Sequence, residues 1–397
     1  MKNIIITGGE LFNKGAQAMT FLTVSELRKR FPDHTIYVLS EMDSRRDKKE
    51  LENYRFNVFG WSPLKFARAQ SNPALRAACL LKNRKEYKYI NDIYKNADMM
   101  IDISGYALGS NWSNNNNLIY IEHLEYAKAY GIPVWIMPQS FGPFEYEGEE
   151  GKKIHDRLQQ VLPYPRKIFA REENGMKALV NTFGLSNVSL APDIVLAGDE
   201  IDPKDIYYRV PDYVVPDIAD RAAAIVPNVN LLRFLDNNDA VELFANIAVG
   251  LERMGYSAYL IRHSANDHQI CQKIEGRAHE LSADTRTRYI NQEFSCLEFS
   301  TLIKKFVFIC GSRFHAIVHA YRQNIPCVVI GWADKYADLL DAFSQDMYLA
   351  DSRENLMAED VLKRVEDLMN NYEDNKLLIR NNLEVISESN VFRILFE

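Results

Sequence analysis

The strongest constraint on this chain is a rhythm of short apolar runs alternating with stretches of helical length, written out twice. Residues 3–7 (NIIIT) form an apolar run that ends at Gly8-Gly9. A stretch with helical spacing follows over residues 16–30, and a second apolar run over 35–39. Further runs lie at 99–103, 133–137 and 167–170, with a helical stretch at 118–130 between the first two and another at 173–183 after the third, stopping at Gly184. Strands of this length buried on both faces, with a helix between successive strands, specify a parallel sheet covered by helices on each side.

Residues 198–220 break the rhythm with Asp, Pro and Tyr and read as a linker. A second series then begins, with strands expected at 222–226, 257–261, 305–310 and 327–330 and helices between and after them. The expected fold class is therefore α/β, with two tandem Rossmann-like domains facing a cleft. The expected domains are 1–197 and 221–397, joined by 198–220. Ligands of such sheets bind beyond the carboxyl ends of the strands, which here means the cleft.

Composition narrows the function. The chain has 397 residues and a net charge of −7, which disfavours nucleic acid as a partner. Its five cysteines are odd in number and never spaced C-x-x-C, so a reducing compartment is expected rather than a disulfide or zinc framework. His263 and His268 are not an i, i+4 pair, and no metal site is expected. The N-terminus lacks a signal-peptide pattern, and no apolar stretch of about 18 residues occurs. A cytoplasmic protein is expected. Residues 61–96 carry eight Lys/Arg against two acidic residues, interleaved with Leu, Phe and Tyr. They read either as a solvated helical hairpin or as a peripheral contact with the inner face of a membrane.

The sharpest motif is Phe308–Ala316 (FICGSRFHA). A buried strand runs into Gly311-Ser312, and a helix starts at once. Ser312 is expected near the N-cap, with Arg313 and His315 in the first turn. A helix N-terminus attracts anions, Arg adds a bidentate cation, and His titrates near neutrality. The alternative is a structural ion pair for Arg313 and a core position for His315. Arg171 follows another strand and reads as a second cleft cation or as a paired helix-start residue. His263 precedes a capping Asn266-Asp267 and reads as a ligand contact or a plain loop histidine. Lys335, after the 327–330 strand, could add a cation. The loop with Asn13 lacks both dinucleotide and P-loop spacing. Residues 104–117 (SGYALGSNWSNNNN), starting at Ser104, suit sugar hydroxyls and faces, or any surface loop.

In order and spacing, several segments together resemble the polysaccharide pyruvyl transferase family over nearly the whole chain. They are Asn13–Met19 (NKGAQAM), Gln139–Pro143 (QSFGP), Ala170-Arg171-Glu172, Ala191-Pro192-Asp193, His263 with Asn266-Asp267, Ser312–Ala316 (SRFHA) and Asp334-Lys335. The resemblance implies a fold like the two-domain glycosyltransferases of GT-B type. It implies transfer of pyruvate from phosphoenolpyruvate to a sugar as a ketal, with no cofactor beyond that co-substrate. It puts the donor on the C-terminal side and the acceptor on the N-terminal side. His315, Arg313 and Arg171 are then the expected catalytic residues. Ser312, Lys335, His263, Asn13, Gln139, Ser104 and Asp193 are the expected substrate-binding ones. Asp193 and Asp102 are candidates for the base, each with a structural alternative. The chain departs from the family pattern at Ala16, at Ser104-Gly105-Tyr106 and at Pro138, all in loops on the acceptor side. A lipid-linked acceptor fits a membrane contact through 61–96. Two other readings stay open: a nucleotide-sugar glycosyltransferase on the same architecture, and a glycan-binding scaffold without catalysis.

Overall fold

The computed structural model describes residues 2–61, 84–233 and 235–395. The first sheet comprises β1 (Asn3–Thr7), β2 (Thr35–Leu39), β3 (Asn57–Phe59), β4 (Ala97–Asp102), β5 (Val134–Gln139), β6 (Lys167–Ala170) and β7 (Val188–Leu190). Its order is β3-β2-β1-β4-β5-β6-β7, with every pair parallel. The second comprises β8 (Ala222–Val226), β9 (Ser257–Ile261), β10 (Arg288–Ile290), β11 (Phe308–Gly311), β12 (Cys327–Gly331) and β13 (Leu349–Asp351). Its order is β10-β9-β8-β11-β12-β13, again all parallel. Both sheets start in their middle and reverse direction there, between β1 and β4 and between β8 and β11. Those are the switch points at which such sheets leave a crevice. The architecture is GT-B-like.

Three-residue strands at the edges, β3, β7, β10 and β13, escaped the sequence reading because three residues carry no periodicity. Helices Gly148–Val161, Cys296–Ile303 and Asp334–Ala342 also went unread, and elsewhere the boundaries move by a few residues. The 118–130 helix in fact begins at Asn114, where the Ser113 hydroxyl accepts from Asn116 N. Residues 198–220 are not wholly irregular: Pro203–Ile206 is a short helix, packed on helix Lys14–Arg30.

Helix Lys14–Arg30 holds the two sheets together. Every residue from Lys14 to Leu27 is buried, so it has no solvent face of the kind a surface helix shows. It touches helices Cys296–Ile303 and Phe314–Arg322 of the second half as well as the short helices Ile194–Ala197 and Pro203–Ile206. Gln17, itself buried, accepts a 2.6 Å hydrogen bond from Cys296 N, one of the orphan donors that open the next helix. Lys14 N donates to His263 O. One continuous apolar cluster runs from Ile4 and Phe21 to Ile309 and Phe392. At Gly15 a side chain is excluded, since a Cβ there would lie 2.7 Å from the His315 Cβ.

Most of the basic 61–96 segment, residues 62–83, falls outside the described residues, and Cys79 with it. Its remainder, Arg84–Lys95, is a helix whose Ile90, Ile93 and Tyr94 are buried in the core of the first sheet. That apolar stripe is packed on protein and does not face a bilayer. Among the described residues no helix is long and apolar enough to cross a membrane.

Replacing Gln17 by Leu leaves the Cys296 N–H buried without a partner. The expected loss of stability is about 1–3 kcal/mol, read from the denaturant midpoint.

Candidate functional site

The carboxyl ends of both sheets face a cleft with a volume of about 920 Å³. From the first sheet come the loop after β1 with Glu10 and Asn13, the loop after β4 with Ser104, Tyr106, Asn111 and Trp112, and Arg171 after β6. From the second come Asn228 after β8, His263 after β9, Arg313 and His315 after β11, and Trp332 to Tyr336 after β12. The sequence motifs thus converge because each follows a strand, and parallel strands end on one edge.

His315 lies in the first turn of helix Phe314–Arg322, with its side chain 15% exposed. Its Nε2 stands 3.4 Å from Asp193 Oδ2. The same oxygen accepts from Arg171 Nη1 at 2.9 Å, and the other accepts from Val195 N at 2.8 Å. Asp193 is therefore the N-cap of a short helix and an ionic node at once. Burial alone would push its carboxyl up. His315 and Arg171 outweigh that and hold it well below the usual carboxylate range.

Arg171 is nearly enclosed. Nε donates to Glu172 at 3.0 Å and Nη2 to Ser140 Oγ at 2.6 Å, and the guanidinium lies 4.4 Å from the centre of the Phe314 ring. Arg313 grips Asp267 with Nε at 2.9 Å and with Nη2. Asp267 is fully buried and also accepts from Ser264 N and Val229 N. Neither arginine is an idle fork waiting for a phosphate. Each is an ion-paired cation that borders the cleft and keeps further N–H groups, since a guanidinium carries five. Lys335 Nζ lies in a ring of aromatic faces, 4.9 Å from Trp332, 5.5 Å from Phe314, 5.6 Å from Tyr336 and 6.0 Å from Tyr106. Tyr106 comes from the first sheet and the other three rings from the second.

Three expected ligand residues sit behind the surface. Ser312 is fully buried and is not the helix cap. Its hydroxyl turns to Val226 O at 3.4 Å, and its carbonyl accepts from Asn228 Nδ2 and Tyr336 Oη, both at 2.8 Å. Gln139 is fully buried and donates to Asp102 Oδ1 at 2.8 Å and to Tyr120 Oη at 3.2 Å. Asp193 is 2% exposed and works through His315 and Arg171. His263 borders the cleft, but the residue is only 1% exposed and packs edge-on against Phe299. Burial, then Lys14, His319 and Arg313, push it well below the usual histidine value, and it stays neutral. Asn13 and Ser104 do line the cleft. Asn13 caps helix Lys14–Arg30 through Gly15 N, and Ser104 Oγ donates to Asp102 at 2.9 Å. Asp102 also takes Thr7 Oγ1 at 2.8 Å and Tyr120 Oη at 3.2 Å. Burial pushes its carboxyl up against these bonds. With four side-chain donors on it, Asp102 is a structural anchor.

Sequence reasoning missed two titratable residues here. Glu10 lines the cleft in a loop that was read only for its glycines, and burial beside Asp43 pushes it up to about 7. Lys14 is buried at the interface and lowered to about 8, chiefly by desolvation. Asp267 was legible as a capping residue, but its hold on Arg313 was not, since the two lie 46 residues apart.

The family model "Polysaccharide pyruvyl transferase" matches residues 13–334. No curated protein matches the chain in sequence. Among solved structures, the UDP-GlcNAc 2-epimerase of Methanocaldococcus jannaschii is similar with a TM-score of 0.56 at 14% identity, covering 92% of each chain. A glycosyltransferase from Rickettsia africae is similar with a TM-score of 0.56 at 11% identity, covering 100% of this chain and 99% of that one. At such identities the likeness is one of fold.

Asp193→Asn removes the buried charge that pairs with Arg171 and faces His315. A loss of about 3–5 kcal/mol at pH 7 is expected, measured by denaturant unfolding. The contribution of a carboxyl lowered by folding is complete above its ordinary value of 3.8 and vanishes as acid protonates the folded form. The gap between wild type and variant therefore closes only in strong acid.

Proposed function

Because the chain belongs to the polysaccharide pyruvyl transferase family, we propose that it moves pyruvate from phosphoenolpyruvate onto a sugar and closes a ketal there. The observation that carries this reading is the pairing of opposite walls in one cleft. One wall holds Arg171, Arg313 and Lys335 around His315, which suits a small donor with a phosphate and a carboxylate. The other holds Tyr106, Trp112, Asn111 and Asn116, aromatic faces and amides suited to a pyranose. That wall is set by its own bonds: Tyr106 Oη donates to Gly142 O at 2.9 Å, Asn111 Nδ2 donates to Tyr106 Oη at 3.2 Å, and Trp112 packs edge-on at 5.3 Å.

In this mechanism the cations hold the donor and stabilise charge as it develops. His315 gives a proton to the enol carbon, C3. A sugar hydroxyl attacks C2, and phosphate leaves with the C2–O electron pair. A second hydroxyl closes the ring. Of the two hydroxyl protons, one is returned for C3 and one departs with phosphate. Asp193, 3.4 Å from Nε2, keeps His315 oriented.

Calorimetric titration of phosphoenolpyruvate is the test. Wild type should bind saturably, and Lys335→Met should bind roughly tenfold more weakly, about 1.5 kcal/mol for one charged contact. His315→Ala should keep donor binding and lose roughly 10²–10⁴ in rate. Saturable binding of a nucleotide sugar without binding of phosphoenolpyruvate would overturn the reading in favour of a glycosyltransferase.

A further inference from the structure

Among the described residues that line the cleft, three carry carboxylates: Glu10, Asp102 and Asp334. Asp102 is held by Thr7, Ser104, Tyr120 and Gln139. Asp334 accepts from Arg353 Nη1 at 2.7 Å. Glu10 makes no hydrogen bond or ion pair with any described residue. It stands on the loop that leaves β1 at the switch point of the first sheet. Glu10 is half-buried, and a carboxylate that lines a cleft without a counter-charge to hold it is free to take up a proton.

We propose that Glu10 is the general base that takes the proton from the attacking sugar hydroxyl. This rests on the pyruvyl-transfer reading above. The hydroxyl oxygen forms its bond to C2 while its proton passes to a Glu10 carboxylate oxygen. His315 delivers a proton to C3 in the same addition. Solvent then carries the proton from Glu10 back to His315, so one turnover leaves both groups as they began.

The surroundings of Glu10 suit a base that works near neutrality. Desolvation, with the like charge of Asp43, lifts it to about 7. Asp43, just after β2, is the charged group acting on it. Asp43 is itself fixed by Arg46 Nε at 2.6 Å, Ser40 Oγ at 2.6 Å and Leu11 N at 2.9 Å, and is not in a position to give way.

The test compares wild type, Glu10→Gln and Glu10→Asp by phosphate release from phosphoenolpyruvate. The acceptors are a panel of p-nitrophenyl hexosides, a panel of nucleotide sugars, and water alone. Glu10→Gln should bind phosphoenolpyruvate within about twofold of wild type in calorimetry and lose roughly 10²–10⁴ in kcat, with Glu10→Asp between them. Wild-type kcat should rise about tenfold per pH unit up to about 7 and then level, and that limb should be flat in Glu10→Gln. Folding is checked separately. The raised pKa makes ionised Glu10 a destabilising group at pH 8, so Glu10→Gln should melt higher than wild type there and equally at pH 4. A Glu10→Gln enzyme that keeps its rate within about threefold and its pH limb overturns the role of Glu10 alone. So does a lower melting temperature at pH 8, which would give Glu10 a structural bond instead. A wild type that binds no phosphoenolpyruvate overturns the reading beneath. One that binds it yet releases no phosphate to any acceptor, water included, overturns the base.

Discussion

The arrangement depends on one buried carboxylate. Asp193 stands between a guanidinium from the end of β6 and an imidazole from the end of β11, so it joins the two sheets through charge. Removing either partner would leave a buried ion with half its compensation, a state that low-polarity surroundings penalise severely. The short helix it caps, Ile194–Ala197, is also touched by Arg322, which donates to the carbonyls of Val195 and Gly198. The relative placement of the halves is therefore fixed by ionic and hydrogen-bonded contacts as well as by the apolar cluster around helix Lys14–Arg30.

The same logic runs through both arginines. A bare guanidinium in a cleft would be hydrated and mobile, and its ordering would oppose the binding of any ligand. Arg171 and Arg313 are ordered in advance by Glu172, Asp193, Ser140 and Asp267. The carboxylates reduce the net field that a ligand meets, and in exchange the remaining N–H directions are set before it arrives. Such fixed dipoles and charges need no reorganisation as charge develops. Lys335 is held differently, by ring faces, which attract a cation without neutralising it.

Much of this was legible in the sequence, for a definite reason. Parallel strands buried on both faces leave continuous apolar runs, and whatever follows each run must lie on one edge. That places Arg171, Arg313, His315 and Lys335 together without any knowledge of contacts. What the runs do not encode is direction. Ser312 and Gln139 lie where ligand residues should be, yet their side chains turn inward to Val226 and Asp102. Asp267 and Arg313 pair across 46 residues. Edge strands of three residues have no period to detect. Glu10 is the converse case: its neighbours Gly8 and Gly9 drew attention to the backbone, and the like charge that acts on it, Asp43, arrives from another loop.

Gly15 makes the placement of His315 depend on how the two halves meet. The backbone there touches the His315 side chain so closely that no Cβ fits, and Gly15 belongs to one half while His315 belongs to the other. Any rocking of the halves must part Gly15 from His315 in the same motion that parts His315 from Asp193. The imidazole then loses its steric stop and its counter-ion together. The contact of the two halves is in this sense what arms the imidazole, and a molecule whose halves had parted would hold it against neither.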